Sequence, residues 1–482
     1  MSNVAIIEPD TRISKSVLWE IQSRFYKKHG IEFWRQRASF TSANTVVVSA
    51  CVDLMISYLK DQGKHLDPKQ PIYFVELGTG SGCFAYRFLK EFFSRLSSAP
   101  EISHLNVRYV MTDFIPEIVS IWQSNPFLKP FIDSESLDFA VFDPVCDQVI
   151  ATSCFGWSVN SQVLINAPIF IANALFDTIG VDGFRFSKLG TSEILISTEA
   201  NSNDPMSSLV SNTLAIHQSD GAVVQTPYYD NQHFDTVLND YSSVLQNGVL
   251  SIPIKALEIL ENLRNLTQSR MALLCCSRGF TDLHYAELSE QLQYHDLSFP
   301  LNFDALRKFF AITGGELFLP KNQSDVFVSR CIAFGYYLPE SQKADSEHVQ
   351  EQYPISADKL VHVAETIQKK MSQSVNDSGG KSTIDAIIDI VTTGQYDPPL
   401  FLKCLAQSMD SIESELPHAS QSDLARLIDL LYKVDSNIYT FDREIPESLG
   451  GDDVLGLLIR VWQRASAAHH QPTGRTLFSI EE

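Results

Sequence analysis

A short run of this chain combines an acid with bare backbone. In "VELGTGSG", Glu76 is followed by Gly78, Gly80 and Gly82 at alternate positions. Glycine carries no Cβ, so a ligand can approach the main chain closely there. A turn that opens a helix also directs unpaired amides outward. Further along, "VMTDF" places Asp113 beside Phe114. One ionised carboxylate can accept two hydrogen bonds at once, which suits a pair of vicinal hydroxyls. Phe114 offers a π face that suits a cation. A third group, Asn173 and Asp177 in "NALFD", pairs an amide with a carboxylate. These two residues could orient or deprotonate an incoming group.

These residues need elements to hold them. "IYFVEL" is a short continuous apolar run, as in a strand buried on both faces. "CFAYRFLKEFFSRL" follows the glycines as an amphipathic helix, with Phe84, Phe88, Phe92 and Leu96 on one face. "NVRYVMTDF", "LDFAVFD", "PIFIANALFD" and "RMALLCCS" read as further strands, and "PEIVSIWQS" and "IKALEILENLRNL" as helices between them. The alternation predicts a mostly parallel sheet covered by helices on both faces, an α/β fold of Rossmann-like type. "GELFLP" and "VFVSRCIAFGYYL" lack a helix between them and predict an antiparallel edge. In such sheets ligands bind beyond the carboxyl ends of the strands, where Glu76, Asp113, Asn173 and Asp177 fall.

The chain has 482 residues, too many for one core. We expect an N-terminal helical segment over 1–62, with Ser42 capping its second helix. The α/β domain is expected over 63–340, and an all-α C-terminal domain over 341–482. Residues 178–250 break the alternation and read as an insertion or lid. In the C-terminal part, Ile384, Ile387, Ile388 and Val391 form one apolar stripe. Leu402, Leu405, Met409, Ile412 and Leu416 form another; Leu424, Leu427, Ile428, Leu431 and Val434 form a third.

The net charge of -21 argues against nucleic acid as a partner. No apolar stretch approaches the ~20 residues needed to span a bilayer, so no membrane role is expected. The N-terminus lacks the pattern of a signal peptide. The eight cysteines are scattered, without a C-x-x-C pair. That usage fits a reducing, cytoplasmic compartment and predicts no metal site.

The glycine spacing separates two ligand classes. A dinucleotide fingerprint, G-x-G-x-x-G, counted from Gly78 would need glycine where Cys83 stands. The observed acid-x-G-x-G-x-G matches the first motif of S-adenosylmethionine (SAM)-dependent methyltransferases of the Rossmann-like class. Asp113 stands where their ribose-binding acid is found. Glu76, Gly78, Gly80, Gly82, Asp113 and Phe114 are therefore the expected cofactor residues, with S-adenosyl-homocysteine as product.

The order of "FYKKHGIEFW", "FTSAN", "VELGTGSG", "VMTDF", "LDFAVFD", "PIFIANALFDTI", "SIPIKALEILENL" and "HDLSFPLNFDAL" resembles the MidA-like SAM-dependent methyltransferases. That group includes the mitochondrial complex I assembly methyltransferase. The resemblance covers roughly residues 20–335 and implies a protein or peptide acceptor. The family's N-E-F-F-D-A-type motif corresponds to Asn173-Ala174-Leu175-Phe176-Asp177, with Ala174 in place of the glutamate. That departure weakens the expectation of an arginine acceptor, whose guanidinium would want acids around it. Asp177 and Asn173 are the expected acceptor-site residues. Two alternatives stand beside a protein methyltransferase: a catalytically silent SAM-binding assembly factor, and an enzyme acting on a small metabolite. The helical C-terminal domain is the expected surface for a homodimer or partner protein. His295 with Asp296, and "FTSAN", are weaker candidates; His217, His233 and Asp235 lack metal-ligand spacing.

Overall fold

A computed structural model describes residues 4–30, 43–160, 164–201, 203–205, 214–284, 286, 291–292, 298–319, 328–339, 342, 347–353, 363, 366–367, 369–371, 382–435, 437–439, 457–458, 461 and 463. The strands are β1 (Val4–Arg12), β2 (Ile72–Glu76), β3 (Val107–Asp113), β4 (Leu137–Val141), β5 (Ile150–Ala151), β6 (Ser158–Val159), β7 (Ile169–Asn173) and β8 (Asp182–Ser187). They continue with β9 (Gly190–Asn201), β10 (Ala215–Val223), β11 (Gly248–Ile252), β12 (Met271–Phe280), β13 (Leu301–Asn302), β14 (Glu316–Phe318) and β15 (Val328–Tyr337). The chain divides into two compact units. One comprises Met1–Gly30, Ser57–Thr79 and Pro100–Pro354; the other comprises Ile31–Ile56, Gly80–Ala99 and Ile355–Glu482.

The first unit is mixed α/β. Its main sheet runs β14-β15-β12-β7-β2-β3-β4, with β13 also on β12. Pairing is parallel from β12 through β4, while β15 runs antiparallel to β12 and to β14. Every residue of β2 is buried, as its continuous apolar run predicts. The helices Pro116–Gln123 and Ile254–Thr267 lie between strands in the chain, where the periodicity places them. The core gathers Val75, Val110, Phe170, Leu260 and Leu273 with residues from the rest of the unit.

Within 178–250, expected as an insertion or lid, the described residues supply most of a second sheet and helix Gln232–Val244. The sheet's order is β1-β9-β8-β11, with β10 also paired to β9. β1 comes from the N-terminus, and Val4 stands opposite Asn201. Of the helical segment expected over 1–62, helices Val17–His29 and Thr45–Gln62 form, whereas Val4–Arg12 is a strand. The strand ahead of them carries no helical signal. It is defined by pairing with a partner almost two hundred positions later.

The second unit is helical. Cys83–Ser97 carries the predicted stripe, and the rings of Phe84, Phe88 and Phe92 stack in turn at 5.7 and 5.4 Å. Helices Thr383–Thr393, Pro398–Gln407, Met409–Glu415 and Gln421–Asp435 share one core through Val391, Leu405, Ile412 and Leu431. Asp397 caps the second of these by accepting from Leu400 N at 3.1 Å, ahead of the pair Pro398-Pro399. For helix Thr45–Gln62 the described cap is Asn44, which accepts from Val47 N at 2.8 Å. Ser42, expected in that role, lies outside the described residues. No helix among the described residues is long and apolar enough to cross a membrane.

Candidate functional site

The glycine turn begins at the carboxyl end of β2. Thr112 Oγ1 donates to the Glu76 carbonyl at 2.7 Å, and Thr79 N donates to the Thr112 carbonyl at 2.9 Å. On the other side Leu77 N donates to the Ile171 carbonyl at 2.8 Å. The turn is thus tied to both flanking strands before it leaves the sheet. Gly78, Gly80 and Gly82 all have positive φ, at 62°, 59° and 80°. That region is costly for any residue with a Cβ. At Gly78 a Cβ would also stand 3.1 Å from Leu175 Cδ1. Two requirements converge on glycine at this position: the backbone angle and the side chain over it. Gly80 and Gly82 belong to the helical unit, and Gly82 opens helix Cys83–Ser97.

The two expected cofactor acids end adjacent parallel strands. Glu76 is 2% exposed, and Tyr109 Oη donates to its Oε2 at 3.1 Å. Burial pushes the Glu76 carboxyl up to about 8; the Asp113 charge adds to the rise and the Tyr109 hydrogen bond opposes it. Asp113 is 6% exposed, and its Oδ1 accepts from Ile115 N at 3.1 Å. This bond holds the side chain against its own turn. Phe114 is 38% exposed, and Lys27 Nζ lies 5.6 Å from its ring centroid.

Asn173 and Asp177 flank a turn at the carboxyl end of β7. Asn173 sits opposite Cys276 of β12. Ala174 has a φ of 52°, a left-handed conformation uncommon for a residue with a side chain. Its amide donates to the Cys276 carbonyl at 2.7 Å. Leu175 then reaches Gly78, which joins this turn to the glycine turn. Asp177 is 3% exposed; its Oδ2 lies 3.6 Å from Arg278 Nε. Arg278 also bonds Ser298, and the Asp177 carbonyl accepts from Phe299 N at 2.9 Å. Asp177 caps no helix, because the chain continues into β8.

Among the expected residues, Glu76, Gly78, Asp113, Phe114, Asn173 and Asp177 all lie in the α/β unit at the carboxyl ends of β2, β3 and β7. Three partners escaped the sequence reading. Tyr109 faces Glu76 from within β3, Lys27 comes from the N-terminal helix, and Arg278 lies near the carboxyl end of β12. For Arg278 a signal existed, since a charged residue closes the otherwise apolar "ALLCCSRGF". His295, Asp296 and the first three residues of "FTSAN" lie outside the described residues. His217 pairs with Glu199 at 3.1 Å, His233 with Glu261 at 3.5 Å, and Asp235 accepts from main-chain amides.

No family model matches this chain, and no curated protein matches it. Two solved structures from Burkholderia thailandensis are similar to it. One is an uncharacterised protein, 10% identical, with 69% of this chain and 94% of that chain covered and a TM-score of 0.37. The other is bound to S-adenosyl-homocysteine, also 10% identical, with 68% and 93% covered and a TM-score of 0.37. Similarity this loose carries no argument about fold or ligand.

Proposed function

We propose that this chain is a SAM-dependent methyltransferase acting on a protein or peptide acceptor. The observation that carries it is the placement of Glu76 and Asp113 at the carboxyl ends of adjacent parallel strands, around a turn that only glycine fits at Gly78. Both residues fit a SAM-type ligand. Gly78 lets the turn keep its positive φ with Leu175 packed directly against the bare main chain. Asp113 would accept from the ribose hydroxyls, and Glu76 supplies a buried carboxyl on the same side of the sheet. Phe114 would offer its exposed ring to the adenine or to the sulfonium.

When bound, SAM supplies an activated methyl group on a sulfonium. The residues of this chain would align an acceptor with it and exclude water. Asn173 would orient the acceptor through its side-chain amide. Asp177, held by Arg278, would fix the acceptor's position. The all-α region over 341–482 would serve as the surface for a homodimer or partner protein.

A second reading has an observation of its own. Ala174 replaces the family glutamate and Arg278 neutralises Asp177, which suits a SAM-binding assembly factor without catalysis. One experiment separates the two. SAM affinity is measured by calorimetry on the native chain and on Asp113→Ala, and methyl transfer is followed from labelled SAM into lysate. Label in a discrete protein band, absent with Asp113→Ala, supports the methyltransferase. Binding without transfer supports the assembly factor. A chain that does not bind SAM at all sinks both.

A further inference from the structure

Arg108, near the amino end of β3, differs from the other arginines of this chain. Each of the other described arginine side chains makes at least one hydrogen bond. Arg108 makes neither a hydrogen bond nor an ion pair among the described residues, in a chain with 58 acidic and 37 basic side chains. Its Nε is buried without a partner, and the side chain as a whole is half-buried. Its one contact of note is aromatic: Cζ lies 4.4 Å from the centroid of the Trp157 ring.

That aromatic face is firmly held. Trp157 is 8% exposed; Phe155 stacks on it at 5.2 Å and 20°, and Tyr73 lies 6.1 Å away. Thr152 clasps its main chain twice. Trp157 N donates to Thr152 Oγ1 at 2.8 Å, and Thr152 N donates to the Trp157 carbonyl at 2.9 Å. The acid best placed to neutralise Arg108 is engaged by the same turn. Asp138 stands opposite Val110, two positions along β3 from Arg108, so it shares that face of the sheet. Its carboxylate accepts from Cys154 N at 2.9 Å and Phe155 N at 2.8 Å, and pairs with no cation among the described residues. The chain thus uses its own carboxylate to fix the aromatic wall and leaves the guanidinium without an anion.

Stacking occupies the face of a guanidinium and leaves the donors along its edge in a fixed plane. A buried donor without a partner calls for a reason. Water meets donors singly, whereas an oxyanion meets the charge and two parallel donors together. We propose that Arg108 is a binding site for the oxyanion group of a soluble small molecule, a carboxylate or a phosphate, held by the edge of the guanidinium while Trp157 sets its plane. The site lies near the amino end of β3, whereas Asp113 ends that strand, so it stands or falls apart from methyl transfer.

The test uses the full chain, with acetate and inorganic phosphate as probes at constant ionic strength, followed by calorimetry. The native chain is expected to bind at least one probe with a dissociation constant on the order of millimolar. Tighter binding of acetate assigns a carboxylate ligand, and tighter binding of phosphate a phosphorylated one. Arg108→Met keeps an unbranched side chain beside Trp157 and removes the donors, so binding should weaken about tenfold or more. Equal affinity in the native chain and Arg108→Met overturns the proposal, as does a native chain that binds neither probe up to about 50 mM. If Arg108→Met does not fold, Arg108→Lys decides. It keeps the charge and loses the planar fork, so affinity should fall about threefold or more, and an unchanged affinity overturns the proposal.

Discussion

Arg278 Nε stands 3.6 Å from Asp177 Oδ2, so the buried carboxylate proposed to meet an acceptor already has a cation beside it. The Arg278 side chain keeps partial exposure, whereas that of Asp177 is nearly closed off. Removing the cation leaves a buried carboxylate without its charge partner. Arg278→Ala is expected to cost about 1–3 kcal/mol in a denaturant melt. Asp177→Asn in the same background should return part of that loss, because the uncompensated charge is gone. Strict additivity of the two substitutions would show that the pair is not coupled.

Asp177 also separates binding from transfer. Under the proposed function, Asp177→Asn should leave SAM affinity within about threefold of the native value, since the ribose acid is Asp113. Methyl transfer should fall by tenfold or more, about the loss of one positioning contact. A collapse of SAM affinity in Asp177→Asn would move this residue into the cofactor site.

Glu76 predicts a pH dependence. With its carboxyl raised to about 8, most of the folded chain carries this proton at neutral pH. A sulfonium cation favours the ionised form, so binding near Glu76 should expel the proton. SAM affinity should therefore rise between pH 6 and 9, with proton release visible as a buffer-dependent binding enthalpy. The stability sign is the reverse. The folded state holds the proton more tightly than the unfolded state does, so the contribution is full below the ordinary glutamate value of 4.5 and is lost as pH rises through about 8. Glu76→Gln should flatten both profiles. Unchanged pH profiles in Glu76→Gln would assign the titration elsewhere.

Backbone strain at the two facing turns gives opposite expectations. Gly78→Ala meets both a φ of 62° and Leu175 Cδ1, and should lower stability by about 1–2 kcal/mol and weaken SAM binding. Ala174 already sits at 52°, and Ala174→Gly should raise the melting midpoint by up to about 1 kcal/mol equivalent. Thermal melts of the two variants moving in the same direction would contradict this account.

The helical unit contains its own buried ion pair. Arg87 Nη1 lies 3.4 Å from Asp397 Oδ1, with both side chains almost fully buried. The same guanidinium donates to the Ala43 and Asn437 carbonyls, and Asp397 accepts from Thr45 N and Leu400 N. One pair thus joins three segments far apart in the chain. Arg87→Ala should cost about 3–5 kcal/mol. It should also speed amide exchange in helix Pro398–Gln407, and unaltered exchange there would show that the pair holds nothing in place.

The residues themselves determined the parallel strands and the turn between them. Short, largely apolar runs at 72–76, 107–113, 169–173 and 271–280 suit central strands, and alternate glycines after the first suit a tight turn. The acids at those strand ends were legible for the same reason, because strand ends locate ligands in such sheets. Pairing across long separations was not. β1 finds β9 through hydrogen bonds that leave no local period in either segment, so 178–250 looked like an irregular excursion. Charge partners were equally hidden. Tyr109 beside Glu76, Arg278 beside Asp177 and Arg12 beside Tyr228 are neighbours only after the sheets form. Local sequence sets backbone preference and burial, whereas the charge state of each acid depends on what the folded chain brings within a few ångströms of it.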